Sequence, residues 1–256
     1  MDNYLEDNMA KILLAGESWI STTTEFKGYD SFTSTKLEIG CTELLESLKK
    51  LGHLVTHIRA HDVPEDFPWS KEALDEYDVI LLSDIGSNSF NLSNHVFSEG
   101  RPTTNRLELL KQWVLSGGSL MMAGGYLSFS GFEGKAHYSG TPIEDVLPVL
   151  IKPYDDRVEV PQGALPEIAV DSQITNGLGK FPEILGYQTV TPKKDAQILM
   201  TVDSSPLLVN RTVGKGRTIA YMTDIAPHWA SQDFMAWENY GEFFSRCIKW
   251  LNKDLD

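Results

Sequence analysis

Short apolar runs alternate with helical periodicity along the first half of the chain. KILLAG, Lys11 to Gly16, is an unbroken apolar run closed by glycine, the pattern of a strand covered on both faces of a parallel sheet. From Lys36 to Leu51, apolar residues fall at Leu37, Cys41, Leu44, Leu45, Leu48 and Leu51, a spacing that predicts a helix stopped by Gly52. Leu54 to Ala60, Val79 to Ser83 and Ser119 to Ala123 repeat the short apolar run. Arg106 to Leu115 predicts another helix, ended by Gly117 and Gly118. Strands alternating with helices imply an α/β protein on a largely parallel sheet.

After about residue 150 the rhythm changes. Val158 to Val160, Ile168 to Val170, Tyr187 to Val190, Ile198 to Val202, Leu207 to Asn210 and Thr218 to Tyr221 are strand-like runs without long helices between them, which predicts an antiparallel β extension. Val213 to Arg217 reads as a hairpin loop, because it lacks the spacing and the following helix of a phosphate loop. The closing stretch, Asp233 to Leu251, predicts a helix with Trp237, Tyr240, Phe244, Cys247 and Leu251 on one face.

With 256 residues the chain suits one domain, with its core over about residues 11 to 251. A formal net charge of -14 argues against nucleic acid and anionic membrane surfaces as partners. No apolar run reaches the ~18 residues of a membrane span, and the acidic start MDNYLEDNMA is unlike a signal peptide, so a cytoplasmic protein is expected. Cys41 and Cys247 sit in stretches that read as buried helix faces, which suits reduced thiols. His53, His57 and His61 would align for a metal only on a helix. The alternation around them reads as strand, where positions four apart lie ~13 Å from one another, so neither metal nor cofactor is expected.

Ligands of open α/β sheets collect outside the carboxyl ends of the strands, and there the chain has long loops. Glu17 to Thr35 follows the first strand, Asp84 to Asn105 the third, and a stretch rich in glycine and hydroxyls the fourth. The run LMMAGGYLS, Leu120 to Ser128, has the strand and small residues of a nucleophile elbow. Together with KILLAGESW, YDVILLSDIGSNSF, GGSLMMAGGYLSFSG and VGKGRTIAYMTDIAPHW, it makes the chain resemble the class I glutamine amidotransferase-like superfamily, in its bacterial branch of cytoplasmic amidotransferase-domain proteins. The ThuA-like proteins share the GKGR hairpin and the PHW ending. The resemblance implies a flavodoxin-like, doubly wound fold with helices on both faces of the sheet.

The same resemblance exposes departures. Members that hydrolyse glutamine carry G-x-C-x-G at the elbow and a later His-x-Glu. Aligned on Gly124, Tyr126 stands where the cysteine would be and Ser128 where the second glycine would be; aligned on His228, Ala230 replaces the glutamate. Cys41 cannot substitute from the apolar face of a helix, so glutamine amidohydrolysis is not expected.

The pocket is expected to bind a small polar metabolite, a sugar or an amide compound, with Glu17, Trp19, Asp84, Gly124, Gly125, Ser128, Asp224 and Trp229 around it. Tyr126 and His228 are the candidates for proton transfer, with Asp224 or Glu17 orienting the imidazole. In the alternative reading Tyr126 plugs the vacated site, His228 makes one structural hydrogen bond, and the protein is a ligand sensor or assembly module. Trp19, Trp229 and Trp237 are candidates for a stacking wall. Homo-oligomerisation is an expectation carried over from cytoplasmic α/β proteins in general.

Overall fold

Ile12, Leu13, Leu14 and Ala15 have no exposed surface, so β1 (Lys11–Gly16) is covered on both faces, as its unbroken apolar pattern requires. The computed structural model describes residues 9–255; the acidic opening MDNYLEDN, used above against a signal peptide, lies outside them. The chain continues through β2 (Ser18–Lys27), β3 (Asp30–Ile39), β4 (Leu54–Ile58), β5 (Val79–Ser83) and β6 (Ser119–Ala123). Its second half adds β7 (Val149–Leu150), β8 (Arg157–Ala164), β9 (Glu167–Ile168), β10 (Ile184–Gln188) and β11 (Thr191–Pro192), then β12 (Gln197–Val202), β13 (Ser205–Val213) and β14 (Gly216–Tyr221).

The main sheet has eight strands in the order β4-β1-β5-β6-β14-β13-β12-β9. Its first five strands run parallel, and the last three extend it antiparallel. This is a flavodoxin-like α/β sheet with the expected extension. The helix Thr42–Lys50 packs against Tyr240–Leu251, while Arg106–Ser116 packs against Lys71–Leu74 and Pro142–Val146 as a second set. From β1 the chain passes to β4 on one side and then to β5 on the other. The sheet therefore has a topological switch point between the carboxyl ends of β1 and β5, where open α/β sheets place their ligands.

Several local expectations are corrected. Residues 17 to 35 are no loop: β2 and β3 pair in register from Ser18↔Ile39 to Lys27↔Asp30 and project as a two-stranded arm. Lys36 and Leu37 belong to β3, and the helix begins only at Thr42, because register with β2 claims the residues that also fit helical spacing. Cys41 is therefore the buried residue just before that helix. The strand expected to reach Ala60 ends at Ile58. Short helices at Asn88–Asn91 and Asn94–Phe97 occupy the long connection after β5. The predicted closing helix is two, Gln232–Met235 and Tyr240–Leu251. Of the later strand-like runs, β8 and β10 leave the main sheet and form their own antiparallel pair.

Candidate functional site

At the carboxyl ends of the parallel strands, two residues other than glycine take left-handed backbone conformations: Glu17 after β1, with φ 49°, and Asp84 after β5, with φ 43°. Such conformations cost on the order of 1 kcal/mol or more each and persist where the surroundings impose them. The backbone N–H of Glu17 donates to Ser83 O at 2.8 Å, and Ser83 Oγ donates to Glu17 Oε2 at 2.5 Å. The Asp84 N–H donates to Ser128 Oγ at 3.1 Å, while Asp84 Oδ1 accepts from Leu127 N–H at 2.7 Å. The carboxyl ends of β1, β5 and β6 are thus tied to one another through the two acids.

Glu17, Trp19, Asp84, Tyr126, Asp224, Pro227 and His228 line one cleft of about 180 Å³ at this edge. Residues that follow four different strands meet there, Asp224 and His228 arriving from the carboxyl end of β14. Ser128 lies buried beneath the cleft and acts on it through the Asp84 backbone. The two glycines are demanded by close packing. A Cβ on Gly125, whose φ is 134°, would sit 2.9 Å from Asp84 Oδ1, and one on Gly124 would sit 2.8 Å from the Thr223 backbone.

Tyr126 does not take a strained position. Its half-exposed ring forms a wall, edge-on to the His228 ring with centroids 4.1 Å apart and stacked on Phe132 at 5.4 Å. The Arg157 guanidinium lies 4.7 Å above the Tyr126 ring, held by Asp155, and fixes that wall from behind. The strained strand-to-turn geometry looked for at Tyr126 falls instead on Asp84 and Glu17.

The expected tryptophan wall does not form. Trp19 reaches the cleft from the base of the arm. Trp229 is fully buried, donates to Glu159 Oε2 at 2.9 Å and stacks behind His228 with centroids 5.2 Å apart. Trp237 packs on Phe181, at 4.7 Å, away from the cleft. Gly40 was missed by sequence reasoning: its N–H donates to Glu17 O at 3.0 Å, and a Cβ there would meet Glu17 Oε1 at 2.6 Å. A glycine ending the strand that returns to Glu17 was the available signal.

Three carboxyl groups share the floor. Burial, then the charges of Asp224 and Asp84, pushes the Glu17 carboxyl well above its ordinary range, against the hydrogen bond from Ser83. Burial and the charge of Asp84 push Asp224 well above its range, opposed by the N–H groups of Ala226 and Ile225. Asp84 is raised by burial, less so because Leu127 N–H and His228 favour its charged form. Shared burial thus shifts all three acids toward their protonated forms. Burial lowers His228, against the pull of Glu159 and Asp84, which favours the neutral imidazole. Its Nδ1 lies 3.7 Å from Asp224 Oδ2. Burial raises the Tyr126 phenol, and Glu159 raises it further.

Both thiols are buried and neither lines the cleft. Cys41 is buried 3.6 Å from His57 Nε2, and burial, with the charge of Glu17, pushes its thiol up to about 12. Cys247 is buried in the last helix, with its thiol also raised. The histidines considered for a metal have separate partners: Ser245 for His53, Gly16 O for His57 and Asp62 for His61. Among the described residues no three His, Cys, Asp or Glu side chains are grouped to hold a metal ion.

The family model described as "Putative glutamine amidotransferase" matches residues 11–253. The chain belongs to this GATase1-like family. Two solved structures, the cytoplasmic proteins STM3548 and STM1381 of Salmonella typhimurium, are each 42% identical to it. The first covers 94% of this chain and 98% of its own with a TM-score of 0.91; the second covers 94% and 99%, at 0.90. A ThuA-like protein of Bacteroides uniformis, 14% identical over 94% of this chain and 91% of its own, shares the fold at a TM-score of 0.58. No curated protein matches the chain. The cytoplasmic setting expected from the sequence agrees with the names of both Salmonella proteins, and no described helix is long and apolar enough to cross a membrane.

Proposed function

We propose that this GATase1-like protein binds a small polar metabolite, uncharged or cationic, in the cleft between Glu17, Asp84, Asp224 and His228, and moves protons on it. The observation that carries the reading is the pair of strained acids, Glu17 and Asp84, at the switch point and open to one cleft. A fold tolerates left-handed carboxylate-bearing residues on adjacent strands where their placement has a use. His228, its neutral form favoured by burial, accepts a proton from one ligand hydroxyl or N–H while an acid of the floor in its protonated form gives one to another oxygen of the same ligand, so protons are redistributed with no net gain or loss. Trp19 and Tyr126 offer ring faces to a sugar, an amide or an amine. No lysine or arginine lines the cleft among the described residues, which disfavours phosphate and carboxylate ligands.

A melting-temperature screen of the purified protein tests this. Small sugars, amides and amines are compared with phosphates and carboxylates. At least one neutral or cationic compound is expected to stabilise the wild type, with the effect lost in Glu17→Gln and His228→Ala. Stabilisation by anions alone, or an effect unchanged in both variants, would overturn the reading. Glutamine is expected to release no ammonia, since Tyr126 stands at the elbow and both cysteines are buried. A non-catalytic ligand sensor is the second reading, favoured by the Tyr126 ring packed edge-on over the imidazole. Binding without any turnover of the stabilising compound would favour it.

A further inference from the structure

The arm formed by β2 and β3 has two faces of opposite character. Residues directly opposed in an antiparallel pair share a face, and successive residues alternate between faces. The register therefore places Ile20, Phe26, Leu37 and Ile39 on one face with threonines between them, and that face contains no charged residue. Hydroxyl pairs bridge the strands across it, Thr22 to Thr35 at 3.4 Å and Thr24 to Thr33 at 3.0 Å. All the arm's charges lie on the other face or at its turn, where Lys36 pairs with Glu38 at 2.8 Å and Lys27 lies 5.1 Å from the Phe32 ring centre.

Beyond its base the arm is exposed on both faces, and among the described residues no strand or helix of the body packs along it. A lone two-stranded hairpin is marginal in water, and an uncharged face that holds Ile20, Phe26, Leu37 and Ile39 in the open calls for a cover. A partner recognised by its charge would need charges on this face, and it has none; a second copy of the chain, although of net charge -14, can meet it there by apolar and hydroxyl contact without setting like charges of the two arm faces against one another.

We infer that the cover is a second copy of this chain, and that two copies exchange arms, each laying its uncharged face along the body of the other. Area favours exchange over simple stacking of arm on arm. Ten residues per strand span ~33 Å, and two strands are ~10 Å wide, so one face presents ~330 Å². Arm stacked on arm would bury roughly 650 Å², well short of the ~1,200 Å² at which stable interfaces begin. Two arms, each on a partner's body, bury about twice as much and reach that range. The arm leaves the body directly at Glu17, and Trp19 at its base lines the cleft, so exchange would brace the edge that carries the candidate site.

Sedimentation of the purified chain at micromolar concentration tests the inference. The wild type should run as a dimer. Ile20→Lys with Leu37→Lys on the uncharged face should weaken the dimer at least tenfold, and Thr24→Lys, mid-face, gives the same readout should the double variant not fold. Thr23→Lys with Ser34→Lys, on the charged face, should leave the dimer intact. A monomeric wild type would overturn the inference and turn attention to a different protein as cover. A dimer indifferent to the uncharged-face variants, or equally sensitive to those on the charged face, would overturn it as well.

Discussion

The cleft and the arm begin at the same residue and depart from ordinary protein chemistry in opposite directions. At the cleft, Glu17 and Asp224 bury carboxyl groups that water would solvate better. Along the arm, Ile20, Phe26 and Phe32 expose side chains that a core would take. The cleft meets its cost through neighbours, because Ser83 and the backbone N–H of Ala226 hydrogen-bond the acids and their shift toward the protonated forms lowers their mutual repulsion. The arm has no comparable neighbours within its own described chain. A self-satisfied polar cluster at a sheet edge points to a small ligand, whereas an unsatisfied apolar ribbon points to a macromolecular surface.

Four substitutions bear on that contrast, from the largest expected effect to the smallest. Gly16→Ala strikes the cleft's foundation, since φ is 105° and a Cβ would lie 2.0 Å from Ser83 O. It should cost roughly 3 kcal/mol or more in urea unfolding and abolish ligand stabilisation. An unaffected midpoint would show that the β1–β5 edge is looser than described.

Glu17→Gln and Asp224→Asn sharpen the comparison from the other side. Both carboxyls are raised in the folded protein, so they hold protons more tightly folded than unfolded. Their contribution is full below about pH 4 and is lost as pH rises through the folded values. The amides should therefore raise the stability at mildly alkaline pH by on the order of 1 kcal/mol, with the gain shrinking toward pH ~4. A gain independent of pH would mean that buried charge is not what burdens the cleft.

The smallest effect is on the arm. Ile20→Lys should change the unfolding free energy of the isolated monomer by only ~0.5 kcal/mol, because the side chain already faces solvent there. A loss of several kcal/mol would place the arm in the folding core and end the contrast.

Much of the sheet was legible because its strands are covered on both faces. Val79–Ser83 and Ser119–Ala123 are fully buried five-residue strands, and their apolar runs admit little else. The convergence of Glu17, Asp84, Tyr126 and His228 on one cleft was legible for a topological reason: parallel strands deliver their carboxyl ends to a common edge. The arm was hidden because both its faces meet solvent. STTTEFKGYDSFTST carries no buried alternation, so it read as a loop, and the helical spacing of Leu37, Cys41 and Leu44 drew Lys36 to Ile39 into the wrong element.

Local pattern by itself determined which segments enter the core, since burial on two faces leaves a signature that neighbours cannot erase. Tertiary structure alone decided which residues bear the strain. The elbow signal in AGGYLS pointed to Tyr126, yet the left-handed positions fell to Glu17 and Asp84. Their backbones are held by hydrogen bonds from Glu17 to Ser83, from Asp84 to Ser128 and from Leu127 to Asp84, each between partners more than forty residues distant. A dihedral imposed by such contacts has no local sequence signature, because either acid would relax to ordinary backbone once the adjoining strands were removed.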